Sequence, residues 1–240
     1  MSGAGYRESV FKDRGELARA VAEGLVALSR SPDGARVTVA LSGGSTPKAL
    51  YETLARSPFR ERVDWSRLEL FFSDERAVPP DDPESNFGLA ARTLLTAVKP
   101  AAVHRMVAEH GDAEGYERLV RERVARRRGA LPVFDLVFLG MGEDGHTASL
   151  FPGTRALEER ERLVVMNPVP QKKTERMTFT YPLINAADRV WVLIAGADKH
   201  AVVARCREAR ARGERPLPIL GVSPAGELVW WLDAAASGAV

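Results

Sequence analysis

The sequence predicts an α/β fold: a doubly wound, mainly parallel sheet with helices on both faces and a mixed part toward the C-terminal half. Three observations predict it. Short apolar runs alternate with helical segments, the order that builds parallel βαβ units with right-handed crossovers. Two of those runs stop abruptly in glycine-rich turns at 42–47 and 140–145, where open α/β sheets place their ligand groups. Between 163 and 195 strand follows strand with little helix between, so part of the sheet there is expected to be mixed.

Residues 36–41 (Arg-Val-Thr-Val-Ala-Leu) read as a buried strand and 47–55 as the helix after it. A second strand, 68–72, is followed by a helix at 86–98. A short strand at 103–107 precedes a polar helix at 113–127. Residues 133–139 form the next strand, and its apolar run carries the chain to a sheet edge. Further strands are expected at 163–166, 176–180 and 190–195, then a helix at 199–211. Two more strands, 217–222 and 228–232, close the chain. No Pro/Gly/Ser-rich linker and no internal repeat interrupts this order, so a single domain over residues 1–240 is expected.

A chain of 240 residues, 45% hydrophobic and 28% charged, has the composition of an ordinary globular protein and enough length for a substantial core. Its apolar runs are too short to cross a bilayer, and its N-terminus has no secretory pattern. One cysteine, Cys206, excludes an internal disulfide and fits a reducing cytoplasm; it reads as a packing residue. Net charge is +2. The arginine clusters at 121–128 and 205–215 are interleaved with glutamates and lack stacking aromatics, so they read as solvated helix faces rather than as a nucleic-acid surface. Four histidines without ligand spacing argue against a metal site.

The loop Ser42-Gly43-Gly44-Ser45-Thr46-Pro47 joins the first strand to a helix. Its glycines bare the backbone N–H groups, its hydroxyls add donors, Thr46 is expected to cap the helix, and Pro47 suits the first helical turn. It reads either as a phosphate cradle or as a tight, well-capped turn. Neither the Walker loop nor the dinucleotide fingerprint is present. After the second strand come Asp74, Glu75 and Arg76, facing the same crevice, with Ser85 or Asn86 capping the next helix. Arg76 suits a phosphate or carboxylate. The third loop, Gly140-Met-Gly-Glu-Asp144-Gly-His146, has glycines expected at positive φ at 140, 142 and 145. His146 is expected to open a short helix.

Together these segments, with 176–186 and 196–201, resemble the 6-phosphogluconolactonase family over about residues 36–232. The resemblance implies an α/β fold related to glucosamine-6-phosphate deaminase and turnover with neither metal nor cofactor. The deaminases resemble this chain in the glycine loop and the Asp-Gly-His turn. They carry Asp-Glu-Tyr where this chain has Asp74-Glu75-Arg76, and a glutamate five residues after the histidine, where this chain has Phe151. The lactonase reading is therefore favoured over a deaminase, and the presence of both Asp144 and His146 favours it over a non-catalytic sugar-phosphate binder.

The implied partner is a small sugar-phosphate lactone, with no nucleic acid or membrane, and the protein a monomer or small homo-oligomer. His146 is the implied general base; Asp144 orients or polarises the site, and Asp74 suits sugar hydroxyls rather than proton transfer. The phosphate is expected against Ser42–Thr46 with Arg76, Arg176 and Lys199. Arg176 fits a structural ion pair as well. His200, beside Lys199, is expected to pack or meet solvent, and His104 and His110 have no supporting motif.

Overall fold

The structure is a computed structural model and describes residues 5–32 and 34–239. Its strands are β1 (Tyr6–Phe11), β2 (Val37–Leu41), β3 (Leu68–Phe72), β4 (Asp74–Arg76), β5 (Ala102–Val103), β6 (Arg127–Arg128), β7 (Leu131–Pro132), β8 (Leu136–Gly140), β9 (Val164–Val169), β10 (Thr174–Phe179), β11 (Arg189–Ile194) and β12 (Glu227–Asp233). Its helices are α1 (Arg14–Ser29), α2 (Ser45–Leu54), α3 (Phe59–Arg62), α4 (Asn86–Ala90), α5 (Ala113–Arg123), α6 (Tyr181–Ala186), α7 (His200–Ala211) and α8 (Ala234–Ser237).

Seven strands form the main sheet in the order β1-β12-β11-β8-β2-β3-β5, and every pairing in it is parallel. β2, β3 and the apolar part of β8 are buried along their length, as expected where helices cover both faces. The mixed part expected of the sheet takes the form of a separate three-stranded antiparallel sheet, β4-β10-β9. The chain steps from β2 outward to β3 and later returns to β8 on β2's other side. That reversal opens a crevice at the carboxyl ends of β2 and β8. Among the described residues no helix is long and apolar enough to cross a membrane.

Several expected elements differ. The strand expected at 217–222 is a 3-10 turn, Pro218–Gly221; Pro218 has no N–H to give a ladder. The strand expected at 103–107 pairs only through Ala102–Val103. The helix at 113–127 ends at Arg123, and Arg127–Arg128 turn back as a small hairpin on β7. The arginine cluster there is therefore not one helix face; Arg126 instead pairs with Asp135 and Asp188. The helix expected at 86–98 is α4 followed by a π turn, Ala91–Leu95. The first strand and α1 escaped sequence reading, although Asp13 caps α1 by accepting from the Glu16 N–H at 2.8 Å. Leu17, Val21 and Leu25 mark its buried face. Cys206 is buried in α7, as expected of a packing residue.

Candidate active site

A cleft of about 220 Å³ lies at the carboxyl ends of β2, β8 and β11, and the small sheet contributes to its wall. It is lined by Ser42, Gly43, Gly44, Ser45, Thr46, Asp74, Arg76, His146, Arg176 and Lys199. Residues spread over 158 positions of sequence thus meet at one sheet edge, which the parallel topology brings about. Asp144 is not in the lining; it stands beside His146. Asn86, Met141, Ala148 and Leu193–Ala195 also line the cleft. Sequence reading gave none of these a role in the site.

The glycine loop differs in detail from expectation. The helix starts at Ser45, its N-cap is Gly44 at φ 105°, and no side chain caps it. Thr46 lies inside the first turn, 7% exposed. Tyr51 Oη occupies both main-chain groups of Ser42, accepting from its N–H at 3.2 Å and donating to its carbonyl at 2.5 Å. The Ser42 N–H is therefore withdrawn from any anion. The N–H groups that open α2 have no acceptor within the helix, and such helix starts favour anions. Gly43 is required by space: a Cβ there would lie 1.7 Å from the Asn86 Oδ1.

Asn86 is fixed by Asp74, donating to its carbonyl at 2.9 Å and its carboxylate at 3.2 Å. Ser149 Oγ donates to the other Asp74 oxygen at 2.7 Å. Asp74, 4% exposed, is thus a buried carboxylate held on both oxygens. Glu75 points the other way, into the start of α4. It accepts from the N–H groups of Asn86, Phe87 and Arg76 and from the Ser85 hydroxyl, all within 3.0 Å. Burial raises its pKa, against the pull of those N–H donors. Ser85 caps α4, the first of the two expected alternatives. Glu75→Ala would strip the acceptor from four donors at once. A loss of roughly 2–4 kcal/mol is expected, read by urea unfolding; unchanged stability would show that Glu75 does not hold this corner.

Arg76 and Arg176 are directly opposed across the β4–β10 ladder. Among the described residues neither has a carboxylate within salt-bridge distance, whereas the half-buried Arg121, Arg162 and Arg207 are each paired with one. Like charges in opposed register repel. Arg176 lies third in its strand rather than opening it, and the ion-pair alternative for it is not realised. Lys199 is committed to Asp198 at 3.0 Å and approaches Glu143 at 4.0 Å.

His146 hangs from the loop after β8. No helix starts there; the chain makes a tight turn closed by a bridge between Thr147 and Leu150. Of the glycines at 140, 142 and 145, only Gly145 takes positive φ, 79°. Gly142 is needed for room, since its Cβ would lie 2.1 Å from the imidazole. Asp144 Oδ1 accepts from the His146 N–H at 3.1 Å and meets Nδ1 at 2.5 Å. The direct bond within the Asp-Gly-His turn was not demanded by the sequence. An ionised carboxylate only accepts, so Nδ1 carries the proton and Nε2 presents a lone pair.

Burial lowers the His146 pKa below its ordinary 6.5, outweighing the opposite pull of Asp144 and Asp74. Burial acts to raise Asp144, but its bonds to the His146 N–H and ring hold it below the usual aspartate range. The imidazole is therefore neutral at pH 7. Because its folded pKa is depressed, the stability it contributes is complete above pH 6.5 and is lost as pH falls toward the folded value.

His104 pairs with Glu69 at 2.7 Å away from the cleft, and His200 is exposed on α7.

The parallel sheet, with these polar groups gathered at the strand carboxyl ends, places the chain in the class of open α/β proteins with a crevice at the topological switch point. More particularly, the chain belongs to the family of glucosamine-6-phosphate isomerases and 6-phosphogluconolactonases, whose profile matches residues 12–231. A 6-phosphogluconolactonase from Nostoc is 41% identical over 207 residues, 84% of this chain and 83% of that one. One from Streptomyces coelicolor is 36% identical over 242 residues, covering 95% and 92%. The crystal structure of 6-phosphogluconolactonase from Leishmania guyanensis superposes with a TM-score of 0.86 at 29% identity, covering 98% and 99%. The family resemblance and fold class read from the sequence are both borne out.

Proposed function

We propose that this protein hydrolyses 6-phospho-D-glucono-1,5-lactone to 6-phospho-D-gluconate, the lactone-opening step of the oxidative pentose phosphate pathway, with His146 as general base. One observation carries the reading: a neutral imidazole with Nδ1 tied to Asp144 shares a cleft with two arginines that, among the described residues, have no carboxylate within salt-bridge distance. The first is a base for water; the second is a seat for a dianion.

In this mechanism the phosphate lies against the arginine pair and the opening turn of α2, with Lys199 adding charge. Asp74 meets sugar hydroxyls. Water held by Nε2 attacks C1 of the lactone and gives its proton to the imidazole as the C1–oxygen bond forms. Asp144 holds the tautomer and steadies the imidazolium. Main-chain N–H groups of the surrounding loops receive the negative charge that develops on the carbonyl oxygen. When the ring C–O bond breaks, the imidazolium returns the proton to the leaving oxygen, and the base is regenerated. No step needs a metal or cofactor. The whole chain is taken to act as one unit in the cytoplasm.

Against the deaminase reading stands Phe151, which offers an apolar ring beside His146 and no second carboxylate. The deciding experiment follows acid release from freshly generated phospholactone in a pH-stat, corrected for spontaneous opening. Catalysed acid release is expected. Ammonia release from glucosamine 6-phosphate instead would assign the deaminase activity, and saturable binding without turnover would leave only a sugar-phosphate binder.

A further inference from the structure

We infer that Phe151 is a positioning residue: its ring is the platform on which both His146 and Arg176 are seated, and it sets the base at a fixed separation from the anion-facing cation. This deepens the hydrolase reading and rests on it for its kinetic consequences.

The geometry is direct. The His146 and Phe151 rings stack with centroids 4.0 Å apart and planes 19° apart. The Arg176 guanidinium carbon lies over the same phenyl ring, 5.3 Å from its centroid. Phe151 itself is fully buried. One ring therefore contacts a group from the loop after β8 and a group from β10.

The backbone that delivers Phe151 is also constrained. Ala148 takes φ 47°, in the left-handed region that residues with a Cβ seldom adopt. The turn is held there by the Leu150 N–H on the Thr147 carbonyl and by Ser149, whose N–H meets Thr178 and whose carbonyl accepts from Asn167. Beyond the turn, Thr154 donates to the Phe151 carbonyl through both its N–H and its hydroxyl. A strained residue kept in place by surrounding bonds is characteristic of sites where position matters. Here the strain folds residue 151 back against residue 146 without a helix.

Two consequences follow for the base. Asp144 fixes one edge of the imidazole and the phenyl face limits its rotation, so Nε2 keeps one direction. The phenyl ring also keeps water from one imidazole face. The charged groups around His146 are Asp144 on its own loop, Asp74 on β4 and Arg176 on β10, with Arg76 and Lys199 in the same cleft. None of these is removed when Phe151 is shortened, so a changed titration would report the lost platform.

The test compares Phe151→Leu, Phe151→Tyr and, as a cavity control in the core, Phe138→Leu, whose ring packs on Trp191 away from the cleft lining. His146 is titrated by NMR in each free protein, its signals identified by their loss in His146→Gln, alongside the pH dependence of kcat. In Phe151→Leu, hydration of the exposed imidazole face is expected to move the His146 titration and the acid limb of kcat upward. There kcat should fall roughly 10- to 100-fold, the scale on which small misplacements act, and KM should rise as Arg176 loosens. Phe151→Tyr should restore the wild-type titration. Phe138→Leu should lose thermal stability while leaving it unmoved. A wild-type titration in Phe151→Leu, or an equal shift in Phe138→Leu, would overturn the inference. If the wild-type protein does not open the lactone, the hydrolase reading fails, while the titration still decides the platform.

Discussion

His146→Ala is expected to lower kcat for the phospholactone by roughly 10²- to 10⁴-fold, the usual reach of general acid–base catalysis, with a much smaller change in KM. The reason lies in the local wiring. Nδ1 is committed to Asp144, and burial keeps the ring neutral, so the lone pair on Nε2 is the basic atom offered to water. Alanine removes that atom and leaves the arginine pair and the α2 loop in place, so substrate should still bind. Asp144→Asn should reduce kcat by less, because the amide can still accept from Nδ1 through its oxygen but no longer steadies the imidazolium with a full charge. Steady-state rates after subtraction of spontaneous opening check both. Near-normal turnover in His146→Ala would take the imidazole out of the chemistry.

The second large effect is expected at Arg176. Arg176→Ala removes one of two opposed guanidiniums and should weaken substrate binding by roughly 1.5–3 kcal/mol, the worth of a hydrogen bond to a charged group. That corresponds to a KM rise of about 10- to 150-fold. Thermal stability should not fall in step, because Arg76 loses a like-charged neighbour across the ladder. Lys199→Ala should lie at the low end of the same range, since that ammonium already serves Asp198 and Glu143 and gains less from a phosphate. A competition assay with inorganic phosphate separates the two variants. Equal affinity of Arg176→Ala and wild type for phosphate would place the anion elsewhere.

Much of the fold was legible because buried parallel strands and their helices carry strong local signatures. Val37–Leu41 and Leu68–Phe72 fall within one residue of expectation. The misreadings arose where tertiary context overrode local pattern. Leu217–Val222 has the composition of a strand, but Pro218 breaks the ladder, and the segment packs beside Gly145 instead, with the Ile219 N–H on the Gly145 carbonyl. The candidate site residues that meet at the cleft were legible because glycine, acid and histidine crowd the ends of apolar runs. Their partners were not. Nothing local to Glu75 says that it turns away to hold α4, leaving Asp74 to face the cleft. Ser149 and Asn86 reveal their hold on Asp74 only in three dimensions, although Asn86 following the cap Ser85 marked the right helix start. Tyr51, which takes over the Ser42 backbone, looks in sequence like any buried aromatic of α2.

A direct test of the central claim is to measure one proton in two ways on the wild-type protein: the pH at which the His146 resonances titrate, and the pH at which kcat/KM for the phospholactone falls on the acid side. The two are predicted to coincide, below the ordinary histidine range, and the kinetic limb is predicted to vanish in His146→Gln. A limb displaced from the His146 titration, or one that survives unchanged in that variant, would contradict the account.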